Sequence, residues 1–151
     1  MSIERTRSTA GNIGVRRING AIVGQPAAKL GDKVVAVDIH IIQPPGPVPP
    51  LPVPHPFLGM IDGGVSSNVF INGLAAATLG STATNLPPHI PIGGTFVNPP
   101  TNKATIIKGS AIVMINGKPA ARLGDMAITC NDPAPLPVGT VVAVSNVLIG
   151  G

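Results

Sequence analysis

One ten-residue motif occurs three times along this chain and constrains its fold more than any other feature. The copies are VGQPAAKLGD at 23–32, NGLAAATLGS at 72–81 and NGKPAARLGD at 116–125, with aligned leucines 49 and 44 residues apart. The second copy is degenerate, because Ala75 replaces the proline and Ser81 replaces the aspartate. Repetition at such a period indicates units that bury apolar surface against one another. We expect pseudo-threefold packing of three units; three unrelated hairpins in a sandwich are the alternative.

The chemistry of the motif predicts tight β-hairpins. Apolar runs precede the second and third copies and lead into Asn-Gly, the dipeptide best suited to a two-residue type I′ turn. The alanines allow neighbouring units to approach closely, and Leu-Gly-Asp supplies a glycine for φ > 0 and an aspartate that bonds the turn. The motif and turn positions are Pro26, Ala27, Ala28, Gly31, Asp32, Asn72, Gly73, Gly80, Asn116, Gly117, Pro119, Ala120, Ala121, Arg122, Gly124 and Asp125.

The composition favours an all-β domain with a thin core. The 19 glycines and 18 prolines oppose long helices and favour short strands joined by turns. There is no Trp or Tyr and there are only three Phe, so the core consists of Ala, Val, Ile and Leu, which bury less area than aromatic residues. A metal cross-link would stabilise such a core.

The histidines and the cysteine form a candidate ligand set. The chain has three His and one Cys, which are His40, His55, His89 and Cys130. His40 and His89 each lie nine residues after the motif glycine, and Cys130 lies six residues after it. Three imidazoles and one thiolate complete a closed tetrahedral site, so we expect one Zn²⁺ per chain, with Fe²⁺ less suitable.

Proline-rich segments surround these ligands. Residues 43–56, QPPGPVPPLPVPHP, contain eight prolines and predict a stiff polyproline II loop that carries His55. A disordered linker or a ligand for proline-binding modules is the alternative. Stiff loops lose little entropy on ordering and can hold ligands without a large core.

Charge and targeting signals limit the function classes. The net charge is +4, and Arg5, Arg7, Arg16 and Arg17 make residues 1–17 a basic arm. Basic residues are not interleaved with aromatics, which speaks against nucleic-acid binding. A single cysteine forms no internal disulfide, and no signal peptide or apolar span is visible. We expect synthesis in the cytoplasm.

No catalytic constellation is evident. The chain has one Glu, so paired glutamates cannot act as acid and base, and Ser66 and Ser67 lack a nucleophile-elbow context. Four protein ligands would leave the metal no position for water, which opposes a zinc hydrolase. We therefore predict a non-enzyme with no catalytic residues.

The motifs carry a family resemblance. Pro26–Asp32 and Pro119–Asp125 resemble PAAR motifs, and Pro119–Arg122 spells the Pro-Ala-Ala-Arg signature. The resemblance covers roughly residues 18–151, with repeats near 22–40, 69–89 and 111–130. The degenerate second copy, the long proline loop and the basic arm at 1–17 depart from the family pattern.

The resemblance implies a structural role. PAAR-repeat proteins are small β-structured cones at the tip of contractile injection machines, such as type VI secretion systems and phage-tail-like particles. It implies zinc bound by three His and one Cys near the apex, and a base seated on a trimeric VgrG-type spike, one copy per trimer. Sheath contraction would drive the tip through a target envelope, and the protein would be exported or released with the particle. An adaptor that recruits effector cargo through the arm or proline loop is the alternative, and a zinc hydrolase is the less favoured one.

Overall fold

Short strands make up all the regular structure that the computed structural model describes, which covers residues 16–18 and 21–151. In this part of the chain there are fifteen strands and no helix, which confirms the all-β fold class. The strands are β1 (Arg16–Ile18), β2 (Ala21–Val23), β3 (Gln25–Pro26), β4 (Lys33–Gln43), β5 (Leu51–Gly63), β6 (Phe70–Ile71), β7 (Leu74–Ala75), β8 (Thr82–Asn85), β9 (Thr95–Phe96), β10 (Lys103–Ile106), β11 (Met114–Ile115), β12 (Lys118–Pro119), β13 (Met126–Thr129), β14 (Leu136–Val142) and β15 (Leu148–Ile149). No described segment is an apolar helix of membrane-spanning length.

The predicted basic arm lies mostly outside the described residues. Arg5 and Arg7 are among the residues that are not described, whereas Arg16 and Arg17 belong to β1. Strand β1 pairs with β2 in an antiparallel hairpin. The predicted boundary between residues 17 and 18 therefore falls inside a strand.

Six long or medium strands close on themselves into a cone. The order β4-β5-β8-β10-β13-β14 returns to β4, every pairing is antiparallel, and β9 adds to the far end of β4. Closure pairs the strands on both sides and so removes open sheet edges. Alternation places Val34, Phe57, Ile61, Ile106 and Val141 in the interior, where small alanines fill the remaining space.

The prediction of a polyproline II loop over residues 43–56 is wrong for most of that segment. Only residues 44–50 connect the strands, because β4 extends to Gln43 and β5 begins at Leu51. Pro52, Pro54 and Pro56 are exposed and alternate with inward-facing residues. Polyproline II and β dihedrals are similar, and prolines at every second position leave the intervening N–H groups for pairing with β4. His55 consequently lies on a strand and not in a loop.

Three small two-stranded units form the opposite end, and two of them are hairpins. Strands β6–β7 and β11–β12 are closed by Asn72-Gly73 and Asn116-Gly117, whose φ angles of 50°, 82°, 52° and 76° give the left-handed conformation of a type I′ turn. The first unit differs, because its partner strand comes from the C-terminal part of the chain: β3 pairs with β15. The first copy of the motif therefore forms its two-stranded unit with a strand that is distant in sequence.

Cyclic hydrogen bonds relate the three copies of the motif. Ala28 N donates to Ala121 O, Ala121 N to Ala77 O, and Ala77 N to Ala28 O, at 2.9–3.0 Å. The bridges Ala27–Arg122, Lys29–Ala76 and Thr78–Ala120 repeat the same relation one residue to either side. These rings confirm the predicted pseudo-threefold arrangement, and the small side chains of the three buried alanines let the segments approach closely.

The Leu-Gly-Asp segments form equivalent turns. Gly31, Gly80 and Gly124 have φ angles of 89°, 90° and 87°, which favour glycine. Asp32 Oδ2 accepts a hydrogen bond from Lys29 N at 3.0 Å, and Asp125 Oδ2 accepts one from Arg122 N at 2.8 Å. In the degenerate copy, Ser81 Oγ takes this role by accepting from Thr78 N at 2.9 Å.

The alanine ring leads to a test of the packing. Ala77→Leu would insert a larger side chain beside Ala28 and Ala121, all of which are at most 1 % exposed. We expect a loss of about 1–3 kcal/mol from overpacking, a drop of roughly 2–12 °C in the thermal midpoint. Thermal and urea unfolding would measure it. Ala111→Leu, the same substitution at an exposed position, is the control, and equal stability of the two variants would contradict the packed ring.

Candidate metal centre

Two strands bring three of the site residues together. Along β4, Asp38 and His40 are two residues apart and both point inward, with 0 % and 1 % of their surface exposed. His55 lies directly opposite Asp38 in the β4–β5 register and is also buried. The alternation of the strand pair therefore places a carboxylate and two imidazoles at one level of the cone.

A loop and a strand end supply the other two residues. His89 lies in the segment after β8, where its backbone N donates to Asn102 Oδ1 at 2.7 Å. Cys130 directly follows β13, and the next two residues bond to β4: Ile39 N donates to Asn131 Oδ1 at 2.7 Å and Ile41 N donates to Asp132 Oδ2 at 2.8 Å. The contacts of Asn131 and Asp132 hold the Cys130 segment against the far end of β4, and Asn102 fixes the backbone of His89.

Four potential ligand atoms lie within 4.8 Å of one another. They belong to Asp38, His40, His89 and Cys130. Asp38 Oδ2 is 2.9 Å from His89 Nε2 and 3.3 Å from Cys130 Sγ, and Cys130 Sγ is 3.9 Å from His40 Nε2. Zn–ligand distances of about 2.0–2.3 Å place tetrahedral ligand atoms roughly 3.3–3.8 Å apart. The cluster is therefore close to the size that one ion requires.

His55 lies beside this group. Its ring centroid is 5.4 Å from that of His40 and 5.7 Å from that of His89, and it is not one of the four residues of the tight group. Its Nδ1 contacts Val53 O at 2.8 Å, which fits an Nδ1–H donor, whereas its buried Nε2 has no hydrogen-bond partner. When one ring nitrogen donates its proton to a backbone carbonyl, the other nitrogen is unprotonated and has a lone pair that can bind a metal. Metal-binding histidines commonly have this arrangement.

Burial controls the protonation of the site. Burial raises the pKa of the Cys130 thiol to about 11, and the neighbouring Asp38 carboxylate adds to the effect. Burial also lowers the pKa of His40, with a further contribution from His89. The imidazole of His40 is therefore neutral at neutral pH, ready to bind a cation, while the thiol needs a nearby metal to lose its proton.

Two aspartates, Asp38 and Asp132, lie next to the histidines and the cysteine of the site. Asp38 Oδ1 accepts hydrogen bonds from Thr129 Oγ1 and from Asn131 Nδ2, which fix the orientation of the carboxylate. Asp132 Oδ2 lies 3.5 Å from His40 Nδ1, beyond a normal hydrogen bond but close enough to stabilise the ring electrostatically. Carboxylates in these positions would orient the imidazoles and neutralise the charge of an ion.

Sequence reasoning predicted His40, His55, His89 and Cys130 as ligands and did not include Asp38, which the structure places in the tight group in addition to three of them. The structure brings the four predicted residues to one end of the cone, with Asp38 between His89 and Cys130. The spacing of Asp38 two residues before His40 on a predicted strand is the signal that could have revealed it. The donor set of thiol, imidazole and carboxylate fits a metal ion, and this cluster supports a metal centre.

A closed cone of strands with a buried donor cluster at one end defines a small β-protein built around a candidate metal centre. Residues 98–151, which include the third copy of the motif and Cys130, match the family model of the PAAR motif. This match covers less than half of the chain, and it confirms the resemblance of that segment to PAAR motifs. The comparison with curated proteins gave no match.

Proposed function

We propose that this protein caps a trimeric VgrG-type spike, one copy per trimer, and that Zn²⁺ rigidifies its apex for envelope puncture. The observation that carries the proposal is the ring of hydrogen bonds among Ala28, Ala77 and Ala121, together with the PAAR match. A single chain with pseudo-threefold symmetry can present a similar surface to each subunit of a trimer. The PAAR motif itself implies association with such a spike.

The end that carries the hairpins is the proposed base. Phe70 and Leu74, on β6 and β7, are 39 % and 43 % exposed and belong to the end opposite the metal cluster. Exposed apolar side chains beside short strands suit a partner that continues the β-structure. The spike would cover these side chains on assembly.

The apex is suited to mechanical work. The segments around the metal cluster contain many prolines, and β9 and Asn131 tie them to β4. A metal that joined β4, the His89 loop and the end of β13 would cross-link three segments distant in sequence. Such a cross-link stabilises a narrow end that has little room for an apolar core.

The experiment is assembly with a purified trimeric VgrG-type spike. Native mass spectrometry should find one chain per trimer, and Phe70→Glu should weaken the complex at least tenfold because it places a charge in the covered surface. Ile90→Glu, at a 72 % exposed position beside the metal cluster, is the matched control and should bind normally. Three chains per trimer, or equal binding by both variants, would overturn the proposal.

The PAAR family is structural, and we propose that this chain likewise has no enzymatic activity. Export as part of the injection particle follows from the proposed role.

Cargo recruitment by residues 1–17 is a separate proposal. Deletion of residues 1–15 should then leave spike binding intact and reduce cargo loading.

A further inference from the structure

The outer surface of the metal-bearing end of the cone is almost entirely apolar. Three segments form this surface, namely residues 37–57, 86–97 and 131–138. Their exposed positions are occupied by proline, glycine, alanine, valine, leucine and isoleucine, and Thr95 is the one exposed polar residue among them. We call the exposed surface of these three segments the apolar apex.

The charged groups of these segments lie inside the cone. The segments contain no Lys, Arg or Glu, and their two carboxylates belong to Asp38 and Asp132. Asp38 is 0 % exposed and the side chain of Asp132 is 9 % exposed. Both lie against histidines of the metal centre, with Asp38 Oδ2 at 2.9 Å from His89 Nε2 and Asp132 Oδ2 at 3.5 Å from His40 Nδ1. The apolar apex itself therefore carries no charged group.

A row of polar and charged residues separates the apolar apex from the rest of the cone. Lys33 on β4 pairs with Met60 on β5, which pairs with Thr84 on β8. Thr84 in turn pairs with Lys103 on β10, and its Oγ1 donates to Asp62 Oδ2 at 2.6 Å. The other exposed charges among the described side chains lie on the hairpin side of this row. Charge therefore ends at one level of the cone.

The apolar apex is tall enough to enter one leaflet of a lipid bilayer. Strand β4 spans 11 residues from Lys33 in the charged row to Gln43 at the far end. At about 3.3 Å per residue this corresponds to roughly 33 Å along the strand. A strand tilt of about 45°, as in many closed sheets, would still leave a height of roughly 23 Å. The hydrocarbon of a bilayer is about 30 Å thick, so one leaflet contributes about 15 Å.

The loop between β4 and β5 has few backbone donors to desolvate. Five of residues 44–50 are prolines, so only Gly46 and Val48 in this loop have a backbone N–H. Val48 N donates to Gly46 O at 2.9 Å. The side chain of Gln43 donates to Pro44 O at 3.0 Å and to Val48 O at 2.7 Å. Unpaired backbone groups are costly in hydrocarbon, and the prolines and these bonds reduce their number.

An apolar groove of about 320 Å³ lies on the side of the apolar apex. Leu58, Leu86, Ile90 and Ile92 line it and are 48–72 % exposed. Contiguous exposed apolar surface of this kind marks an interaction site. Interfaces with proteins have a polar rim around an apolar centre, whereas hydrocarbon needs neither charges nor hydrogen bonds from its partner. A surface without charge therefore fits lipid chains better than a protein.

We propose that the apolar apex partitions into the hydrocarbon of a lipid bilayer, and that neutral lipids are sufficient for this binding. Puncture by a driven tip requires no affinity of the tip for lipid, so the affinity is a property beyond the proposed function. The proposal rests on the proposed function only where it assigns this end of the cone to the target side. Lipid binding is measured without a spike, so a failure of spike binding and a failure of lipid binding are separate results.

The test is flotation of the metal-loaded full chain with vesicles of phosphatidylcholine, and with vesicles that also contain phosphatidylserine. We expect saturable binding to the neutral vesicles. Binding that requires phosphatidylserine would indicate attraction of basic residues to an anionic surface and would overturn the proposal. Absence of binding to both kinds of vesicle would overturn it as well.

Two matched variants locate the binding surface. Ile90→Glu should weaken binding to neutral vesicles at least tenfold, because an apolar contact is lost and a charge would have to enter hydrocarbon. Val144→Glu places the same charge at a 79 % exposed position on the hairpin side of the charged row and should bind as the parent does. Circular dichroism would check that both variants are folded. Equal binding by the two variants would contradict insertion of the apolar apex.

A tryptophan reporter would measure the orientation, because the chain has no Trp of its own. With brominated phosphatidylcholine, the fluorescence of Ile90→Trp should be quenched and that of Val144→Trp should not. Equal quenching of both reporters, or quenching of Val144→Trp alone, would overturn the proposal. Sedimentation measurements test a second copy of the chain as the occupant. Self-association that Ile90→Glu abolishes, without vesicle binding by the parent, would identify a dimer surface in place of a lipid-binding one.

Discussion

Cys130→Ser should release the metal and lower the thermal midpoint of the protein by about 8–16 °C. A ligand present at about 1,000 times its dissociation constant stabilises the folded state by about 4 kcal/mol, and each kcal/mol corresponds to roughly 2–4 °C in a chain of this size. Serine cannot supply the thiolate that a soft or borderline ion prefers. His89→Ala should behave similarly, because both residues connect different segments to β4.

Elemental analysis and native mass spectrometry would measure the metal, and calorimetry the midpoint. One zinc per chain in the parent protein, lost in both variants, is the expected result. Thr105→Ser, at an exposed position of β10, is the control and should keep metal and stability. A parent protein without metal, or variants as stable as the parent, would contradict the metal centre.

Acidification provides a second readout of the same site. Because burial holds the pKa of the Cys130 thiol at about 11, metal binding at neutral pH must displace a proton. The apparent affinity should therefore fall as the pH falls, and protonation of His40 should add to the loss only at lower pH, because burial lowers the pKa of that ring. Competition with a chelator at several pH values would measure this dependence, and an affinity independent of pH would contradict a thiolate ligand.

The local chemistry of the motif made much of the fold predictable. Asn-Gly pairs and the glycine of Leu-Gly-Asp need particular backbone conformations, and Asn72, Asn116 and Gly80 adopt positive φ angles as such turns require. The repeated alanines indicated close approach between units, which the hydrogen-bonded ring confirms. The conformation of these turns and segments depends on residues that are adjacent in sequence, so sequence patterns predict it well.

Features that depend on register or on distant segments were missed. The pairing of β3 with β15 joins segments more than 120 residues apart, and no local signal indicates it. Pro52, Pro54 and Pro56 suggested a loop, because proline has no N–H to donate to a neighbouring strand. Only the pairing shows that the residues between them supply the N–H groups that face β4. Asp38 lies in the site because it is opposite His55 in the β4–β5 pair. Aspartate is common in turns, so the sequence alone did not indicate Asp38 as a ligand.

His55→Gln should weaken metal binding more than Asp38→Asn does. The buried Nε2 of His55 has no hydrogen-bond partner and its Nδ1 is fixed by Val53 O, so the ring is prepared to bind an ion. Both oxygens of Asp38 already have partners, namely Thr129 and Asn131 on Oδ1, and His89 and Cys130 on Oδ2. We therefore expect at least 100-fold weaker binding for His55→Gln, and about 10–100-fold for Asp38→Asn through lost orientation and charge.

Competition with a chromophoric chelator would measure both affinities, and Co²⁺ substitution would report the ligand set. Asp38→Asn should retain the absorption of a tetrahedral thiolate site, while His55→Gln should change its band positions or intensity. Both substitutions keep the approximate size of the side chain, so a general loss of folding should be small and detectable by circular dichroism. The reverse order of affinities would show that Asp38, and not His55, completes the coordination. The metal would then sit among the four groups that are already in close contact, with His55 as a buried neighbour.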